Sequence, residues 1–215
     1  MTRPVPGSAL LDLVAVMDRL RSPGGCPWDA QQTHASLLPY LVEESYEVVD
    51  AVENGTREEL REELGDVLLQ VVFHARLAQE DPQQPFDIDD VAATLVAKLE
   101  RRHPHVFAGE AVAEDLQAGW DAIKATEKRR ESVLDGIPLQ LPALARAEKV
   151  LGRLQRAGLD DPAEPGEELT EEQVGAELLA LVRRARAAGV DPEAALRRAV
   201  RALEVEARRA EGAAR

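Results

Sequence analysis

The sequence is poor in cysteine, in aromatic residues and in long apolar runs. Cys26 is the single cysteine in 215 residues, which excludes an intrachain disulfide framework. Aromatic residues make up 3% of a chain that is 45% hydrophobic, and no run of 18 apolar residues occurs. The start, MTRPVPGSAL, lacks the apolar core of a signal peptide. These absences predict a soluble cytoplasmic protein without a membrane span.

The chain also lacks positive net charge. Its 40 Asp and Glu residues outnumber its 26 Lys and Arg residues, which gives a formal net charge of −14. Binding to nucleic acid requires a basic surface, so we expect no nucleic-acid partner. A small anionic ligand held through metal ions remains compatible with this charge. Neither Gly-x-x-x-x-Gly-Lys-Ser/Thr nor Gly-x-Gly-x-x-Gly occurs, so no loop of those types binds phosphate.

Helical periodicity is what the chain has throughout, and it predicts an all-α fold. Ser8 can cap a first helix, and the stretch RSPGGCPWDAQQT after it is predicted to be loop. A second helix is expected from about Ser36 to Val52, with Pro39 in its first turn. Thr56 and Glu59 form a capping box for a third helix, which extends to about Gln79.

Further helix signals follow along the chain. Asp87 and Asp90 begin a fourth helix that ends before Pro104, and a fifth is expected from about 114 to 131. The segment 132–142 marks a boundary, and a connecting helix then runs to Gly158 as its C′ residue. Thr170 with Gln173, and then Asp191-Pro192, begin the last two helices.

A weak internal repeat relates the two halves of the chain. EELGDVLLQVVFHARLA at 62–78 parallels EQVGAELLALVRRARAA at 172–188. In the second copy Gln173 and Ala176 stand where the first copy has Glu63 and Asp66. The second copy is therefore predicted to keep its core and to have lost its chemistry.

Two pairs of carboxylates are the strongest candidates for a functional site: Glu44 with Glu47, and Glu63 with Asp66. Residues three apart are neighbours on one face of a helix, so each pair is a like-charge pair that destabilises an isolated helix. The connection between the two helices is short, which predicts antiparallel packing and brings the four carboxylates together. A divalent cation would remove their repulsion, and oxygen ligands favour Mg²⁺ or Mn²⁺ over zinc or copper.

These carboxylates have two other possible interpretations. A solvated acidic face is the common alternative, but no Lys or Arg lies between Ser22 and Thr56 to balance it. A dinuclear iron site needs two Glu-x-x-His motifs, and the chain has one match, Glu100 to His103, at a helix end. Gly65, which weakens a helix interior, is expected to permit the close approach of another element.

Cations and an aromatic side chain complete a possible ligand site. Lys98 and Arg102 share one helix face, as do Trp120 and Lys124. Each pair also has an ordinary explanation, a C-terminal cluster on the helix dipole and a core tryptophan beside a surface lysine. Together with the carboxylates they favour a phosphorylated, base-bearing ligand.

The segments that carry these residues resemble the MazG family of nucleoside triphosphate pyrophosphohydrolases, within the all-α NTP pyrophosphatases. The similarity rests on GCPWDAQQTHASLLPYLVEESYEVVDAV, REELGDVLLQVVFHA, KLERRHPHVF and GWDAIK. It implies that Glu44, Glu47, Glu63 and Asp66 are the catalytic Mg²⁺ ligands, with Mn²⁺ as a possible substitute. It implies substrate contacts by Lys98, Arg102, Trp120 and Lys124. Trp28 lies in a predicted loop, where it either closes over the nucleoside or fills the core, and the sequence leaves both open.

The resemblance implies an all-α NTP pyrophosphatase bundle that hydrolyses NTP or dNTP to a monophosphate and pyrophosphate, by water attack at the α-phosphorus, in nucleotide-pool housecleaning. We predict a catalytic domain at 1–131, a linker with a connecting helix at 132–159, and a degenerate, non-catalytic repeat at 160–215. The third helix is apolar almost all round after Asp66, which predicts a homodimer or a pseudo-dimer with the repeat. Alternatives are a nucleotide-binding regulatory module without turnover, and a pyrophosphatase for a modified nucleotide or an alarmone.

Overall fold

The protein is described by a computed structural model over residues 7–109, 131–160 and 169–213. Within these ranges it has nine α-helices and no β-strand, which confirms the predicted all-α class. The chain divides into two compact units, Met1–Val112 and Ala113–Arg215, which are described separately. No helix in the described ranges is both long enough and apolar enough to cross a membrane.

The first unit is built around one helical hairpin. Its helices are α1 (Ser8–Arg21), α2 (Pro27–Gln31), α3 (His34–Glu53), α4 (Arg57–Ala78), α5 (Ile88–Arg102) and α6 (Pro104–Phe107). Three residues, 54–56, join α3 to α4, so the two helices lie antiparallel and pack along each other. Helices α1 and α5 both pack against α4, which makes α4 the central element of this unit.

The core of the first unit lies where α1 and α3 meet α4. Its buried side chains are Met17, Leu37, Val72, Phe73 and Leu77. Three of these five come from the C-terminal half of α4. The apolar stretch after Asp66 is therefore largely covered within this unit, which leaves less of α4 for a partner than its sequence suggests.

Helix starts agree with the predicted capping signals at several points. Thr56 and Glu59 form a reciprocal capping box on α4, and Asp87 and Asp90 form another on α5. The predicted start of the second helix at Ser36 is wrong, because Thr33 and Ser36 themselves form a capping box and the helix begins at His34. Pro39 consequently lies in the second turn of α3, beyond the first turn where a proline costs no hydrogen bond.

The loop predicted after the first helix contains the short helix α2. Pro27 is its first residue and fixes a helical φ there, while the missing proline N–H loses no intrahelical bond. The prediction of continuous loop was wrong for residues 27–31. The helix expected at about 114–131 falls outside the described residues.

The second unit packs α7 (Ala143–Arg156) against α9 (Pro192–Ala213), with α8 (Glu171–Ala187) beside α9. Its core consists of Leu134, Ile137, Val150, Leu154, Val200 and Ala207. Arg153 donates to the carbonyls of Val133 and Asp135 and so holds the segment before α7. Gly158 has a φ of +66°, and the predicted cap of Thr170 with Gln173 is present.

Candidate metal and nucleotide site

Three of the four predicted carboxylates lie on the faces by which α3 and α4 contact each other. Glu44 is seven residues from both Leu37 and Ala51, which are buried on α3. Glu63 is likewise seven residues before buried Gln70 on α4, and Asp66 is seven before buried Phe73. Seven residues are close to two helical turns, so each carboxylate shares a face with a buried residue. On both helices, the face that packs against the other helix therefore carries acidic side chains next to its buried residues.

Three of the four carboxylates converge. One oxygen each from Glu44, Glu63 and Asp66 can be chosen so that all three atoms lie within 4.8 Å of one another. The side chain of Glu47 is exposed and lies outside this group, but it contributes to the raised pKa of Glu44. The cluster thus contains Glu44 of α3 with Glu63 and Asp66 of α4, and Glu47 of α3 lies at its edge.

The cluster is electrostatically unfavourable without a cation. Desolvation raises the pKa of Glu44 to about 7, with further contributions from the Glu47 hydrogen bond and the Asp66 charge. Desolvation also raises the pKa of Glu63, assisted by the negative charges of Glu47 and Asp66.

These residues suit a hard divalent cation. Their donors are all carboxylate oxygens, the ligand type that Mg²⁺ and Mn²⁺ prefer. Two oxygens bound to Mg²⁺ at about 2.1 Å stand at most about 4.2 Å apart, so the cluster needs only small side-chain shifts to close on an ion. A bound cation would favour the charged carboxylates and so oppose the rise in the pKa values of Glu44 and Glu63.

An acidic cleft of about 280 Å³ opens next to this cluster at the end of the α3–α4 hairpin. It is lined by Glu47, Asp50, Ala51, Asn54, Gly55, Glu59 and Glu63. A polyphosphate cannot approach such a surface unless cations neutralise it first. The cleft therefore supports a site in which metal ions bridge the carboxylates and the phosphates.

The predicted cationic residues are only partly within the described chain. Lys98 and Arg102 are half-buried, lie one turn apart on α5, and so sit on the helix that packs against α4. Trp120 and Lys124 fall outside the described residues.

Trp28, the remaining predicted contact, lies on α2 with its ring exposed. It packs edge-on against Tyr40 of α3, with ring centroids 6.0 Å apart. Sequence reasoning missed Tyr40, although a signal was present. Tyr40, Glu44 and Glu47 follow the i, i+4, i+7 pattern of one helix face.

Arg21 was also missed, and no local pattern marks it. Its side chain is 8% exposed and makes a two-pronged ion pair with Glu80 through Nε and Nη2, at 2.8 and 2.9 Å. Its Nη1 donates to the backbone carbonyls of Asp29 and Gln32, at the end of α2. The guanidinium thereby ties α2 to the end of α4.

The expected close approach at Gly65 is not seen. A Cβ built on this glycine meets no atom within 4 Å in the described part of the chain. Gly65 lies on the exposed side of α4, one residue from Asp66, so no packing requirement for glycine arises among residues 7–109.

Comparison with known proteins identifies the same region. A family model described as the MazG nucleotide pyrophosphohydrolase domain matches residues 32–107, which include α3, α4 and α5. An uncharacterized 26.1 kDa protein of Streptomyces cacaoi is 55% identical over 97% of this chain and 85% of its own length. A nucleoside triphosphate pyrophosphohydrolase of Mycobacterium tuberculosis is 53% identical over 80% of this chain, which spans 52% of that relative.

A further relative matches over most of both chains. The nucleoside triphosphate pyrophosphohydrolase/pyrophosphatase MazG of Thermotoga maritima is 42% identical over 88% of this chain and 80% of its own length. Identity at this level over most of both proteins, together with the family match on the helices that carry the carboxylates, leads to one assignment. The chain belongs to the MazG nucleotide pyrophosphohydrolase family.

Proposed function

We propose that this chain hydrolyses nucleoside triphosphates, NTP or dNTP, to a nucleoside monophosphate and pyrophosphate. The observation that carries the proposal is the convergence of Glu44, Glu63 and Asp66, with an oxygen of each within 4.8 Å of the others. The names of the Mycobacterium and Thermotoga relatives support the same reaction. Housecleaning of the nucleotide pool in the cytoplasm is the role we propose for it.

The reaction is a displacement at the α-phosphorus. The water oxygen forms a bond to this phosphorus, the bond to the α–β bridging oxygen breaks, and pyrophosphate leaves with the electron pair. A proton of the water passes to a carboxylate. We propose Glu47 for this task, because it borders the three converging carboxylates without being one of them.

The carboxylates Glu44, Glu63 and Asp66, with Glu47 at their edge, would hold Mg²⁺, or Mn²⁺ as a substitute. When bound, such a cation polarises phosphate oxygens and offsets the charge that develops on the leaving group. Lys98, Arg102 and Lys124 would neutralise the β- and γ-phosphates. Trp120 and Trp28 would contact the nucleoside.

The first test follows the label from ¹⁸O-water. Attack at the α-phosphorus puts ¹⁸O into the monophosphate and none into pyrophosphate, which mass spectrometry distinguishes. Glu63→Gln and Asp66→Asn should lower kcat at least a hundredfold, because each removes a charged oxygen from the cluster. Glu62→Gln is the matched control on an exposed neighbour, and circular dichroism shows whether each variant keeps its helices.

The two alternatives predict different results in the same assay. A regulatory nucleotide-binding module would bind NTP with Mg²⁺ and release no pyrophosphate. An enzyme specialised for a modified nucleotide or an alarmone would show weak turnover of all standard NTPs and strong turnover of one member of a wider nucleotide panel. Equal amounts of monophosphate and pyrophosphate from standard NTPs would support the proposal over both.

We further propose that the chain forms a homodimer through α3. Leu38, Val42, Val49 and Val52 lie on one exposed face of this helix, away from the carboxylates. An apolar stripe of this length is unusual on the free surface of a monomer.

Residues 160–215 are proposed to be a non-catalytic repeat with a packing or oligomerisation role. No side chain of α8 is buried, and Leu178, Leu179 and Leu181 leave apolar surface exposed on this helix. This uncovered apolar surface supports that role.

A further inference from the structure

Two of the four histidines in the chain meet across the contact between α3 and α4. Nδ1 of His34, the first residue of α3, lies 2.8 Å from Nδ1 of His74 on α4. The two ring planes differ by 6°, and the ring centroids are 5.1 Å apart. Because the nitrogens are so much closer to each other than the centroids are, the rings meet through their Nδ1 edges rather than face to face. One ring therefore donates an N–H to the other, and the tautomers decide which.

The two rings differ in their freedom to move. The side chain of His74 is half-buried, and its second nitrogen, Nε2, is buried without a hydrogen-bond partner in the described part of the chain. His34 is exposed, so its ring can turn by rotation of the side chain alone. The pair thus combines one fixed imidazole with one adaptable imidazole, each on a different helix.

A cavity of about 440 Å³ opens beside His34, which is room for an ion with its water ligands. Two carboxylates line this cavity, Glu80 and Asp81. Arg21 and Arg76 balance the charge of Glu80. Asp81 forms no ion pair among the described residues, and its carboxylate accepts from two backbone N–H groups that follow it. The cavity therefore carries a negative charge that attracts cations.

The spacing of the two imidazole nitrogens is close to that of neighbouring ligands on one metal ion. Zn²⁺ binds histidine nitrogen at about 2.0–2.1 Å, and tetrahedral geometry then sets two such nitrogens about 3.4 Å apart. The contact of 2.8 Å has to open by about 0.6 Å, which the exposed ring of His34 can provide. Imidazole nitrogen suits zinc, nickel and copper, whereas Mg²⁺ prefers oxygen.

Gln70 offers the acceptor that such coordination requires. A histidine that binds a metal ion through Nδ1 carries its ring proton on Nε2, and it almost always donates that N–H to an oxygen. Gln70 precedes His74 by one helical turn on the same face of α4 and is 5% exposed. Its Oε1, like Nε2 of His74, is buried without a hydrogen-bond partner in the described ranges. Both atoms suit the metal-bound tautomer of His74.

We propose that His34 and His74 form a second metal site, which takes a borderline divalent cation such as Zn²⁺, Ni²⁺ or Cu²⁺. The ion takes the place of the N–H between the two rings, and water completes its coordination. Its protein donors are nitrogens, so it differs in metal preference from the carboxylate cluster, whose donors are oxygens. A bound ion would link the first turn of α3 to the C-terminal half of α4, and would stabilise the folded chain by mass action.

Imidazole ¹⁵N NMR with Zn²⁺ tests the site atom by atom. Excess Mg²⁺ is present throughout as a competitor for the carboxylates, and no nucleotide is added, so the result does not depend on the proposed function. Zn²⁺ should shift the Nδ1 resonances of His34 and His74 together, to saturation at one ion per chain, with both Nε2 atoms protonated. Mg²⁺ alone should shift neither resonance.

Variants of the histidines provide the matched controls. His34→Gln and His74→Gln should each weaken Zn²⁺ binding about tenfold or more by calorimetry, and each should remove the shift of the remaining ring. His103 and His105 are also close, with centroids 5.7 Å apart, but their planes meet at 61° and Nδ1 of His103 lies 2.7 Å from the carbonyl of Leu99. His103→Gln should therefore leave Zn²⁺ affinity unchanged. Zn²⁺ should also raise the Tm of the wild-type chain more than that of His34→Gln.

The inference is overturned if Zn²⁺ leaves the Nδ1 resonances of His34 and His74 in place, or if it shifts all four histidines alike. It is equally overturned if His34→Gln binds Zn²⁺ as tightly as the wild-type chain. This variant changes an exposed side chain and should keep the fold, so it decides the question even if His74→Gln does not fold. Failure of the proposed function would appear instead as an absence of pyrophosphate release, which none of these measurements requires.

Discussion

Glu44 shows at the scale of one residue how this chain places charge where packing would favour a leucine. It occupies the same face of α3 as buried Leu37 and Ala51, and desolvation raises its pKa to about 7. A carboxyl group whose pKa is higher in the folded state costs stability once the pH exceeds that pKa, because it is then ionised in both states. Below the ordinary value of 4.5 it is protonated in both states and the cost vanishes.

Glu44→Gln should therefore stabilise the cation-free protein at pH 8. We expect a gain in the free energy of unfolding of about 1 kcal/mol, after a discount for solvent screening of a partly exposed group. Urea unfolding in the presence of a chelator measures it. The gain should shrink at pH 4, where both proteins carry a neutral side chain. A loss of stability at pH 8 would contradict this account of the cluster.

Gly65 permits a second prediction at this scale. A Cβ there meets no atom within 4 Å, and glycine weakens a helix interior relative to alanine. Gly65→Ala should raise the free energy of unfolding by about 0.5–1 kcal/mol, as should the matched Gly175→Ala on α8, where the space is also open. If Gly65→Ala destabilises the protein while Gly175→Ala does not, another element approaches α4 at this point.

At the scale of elements, the ion pairs around Glu80 join α1, α2 and α4. Glu80 accepts from Arg21 and from Arg76, and Arg76 also pairs with Asp18. The hydrogen bond from Arg21 is the main cause that lowers the pKa of Glu80 below its ordinary 4.5. A lowered pKa stabilises the fold above the ordinary value, and this contribution is lost as the pH falls through the folded-state value.

Glu80→Gln should thus cost stability at pH 7 and cost little in strong acid. The half-exposed carboxylate limits the effect to about 1–2 kcal/mol, since a hydrogen bond to a charged group contributes in that range. Unfolding in urea from pH 7 down to pH 3 measures it for both proteins. The two stability curves should converge toward pH 3, and parallel curves would contradict the assignment of the pair.

Element boundaries followed from the sequence wherever a side chain caps the backbone. Thr56 with Glu59, and Asp87 with Asp90, are local signals, because the residues that bond are three apart. The start of α3 was placed too late because the Thr33–Ser36 box uses a serine where a glutamate is usual. Helix α2 was missed because its stability depends on Arg21, six residues before its first residue, and on no pattern of its own.

At the scale of the whole molecule, the exposed stripe on α3 tests the proposed homodimer. Val42→Glu places a charge in the middle of that stripe and should shift the protein to monomer by light scattering at micromolar concentration. Val96→Glu is the control, because Val96 on α5 is 52% exposed and Val42 is 53% exposed. A wild-type protein that is already monomeric, or equal effects of both variants, would contradict an interface on α3.

Sequence alone determined the helical class, most helix starts and the pairing of Glu44 with Glu47 and of Glu63 with Asp66, because each depends on residues within about one turn of one another. Tertiary structure decided which carboxylates converge, and it left Glu47 at the edge of the group. It also brought Arg21 to Glu80 and Trp28 to Tyr40. Such contacts depend on how α1, α2 and α3 pack on α4, and no spacing along the chain encodes that packing.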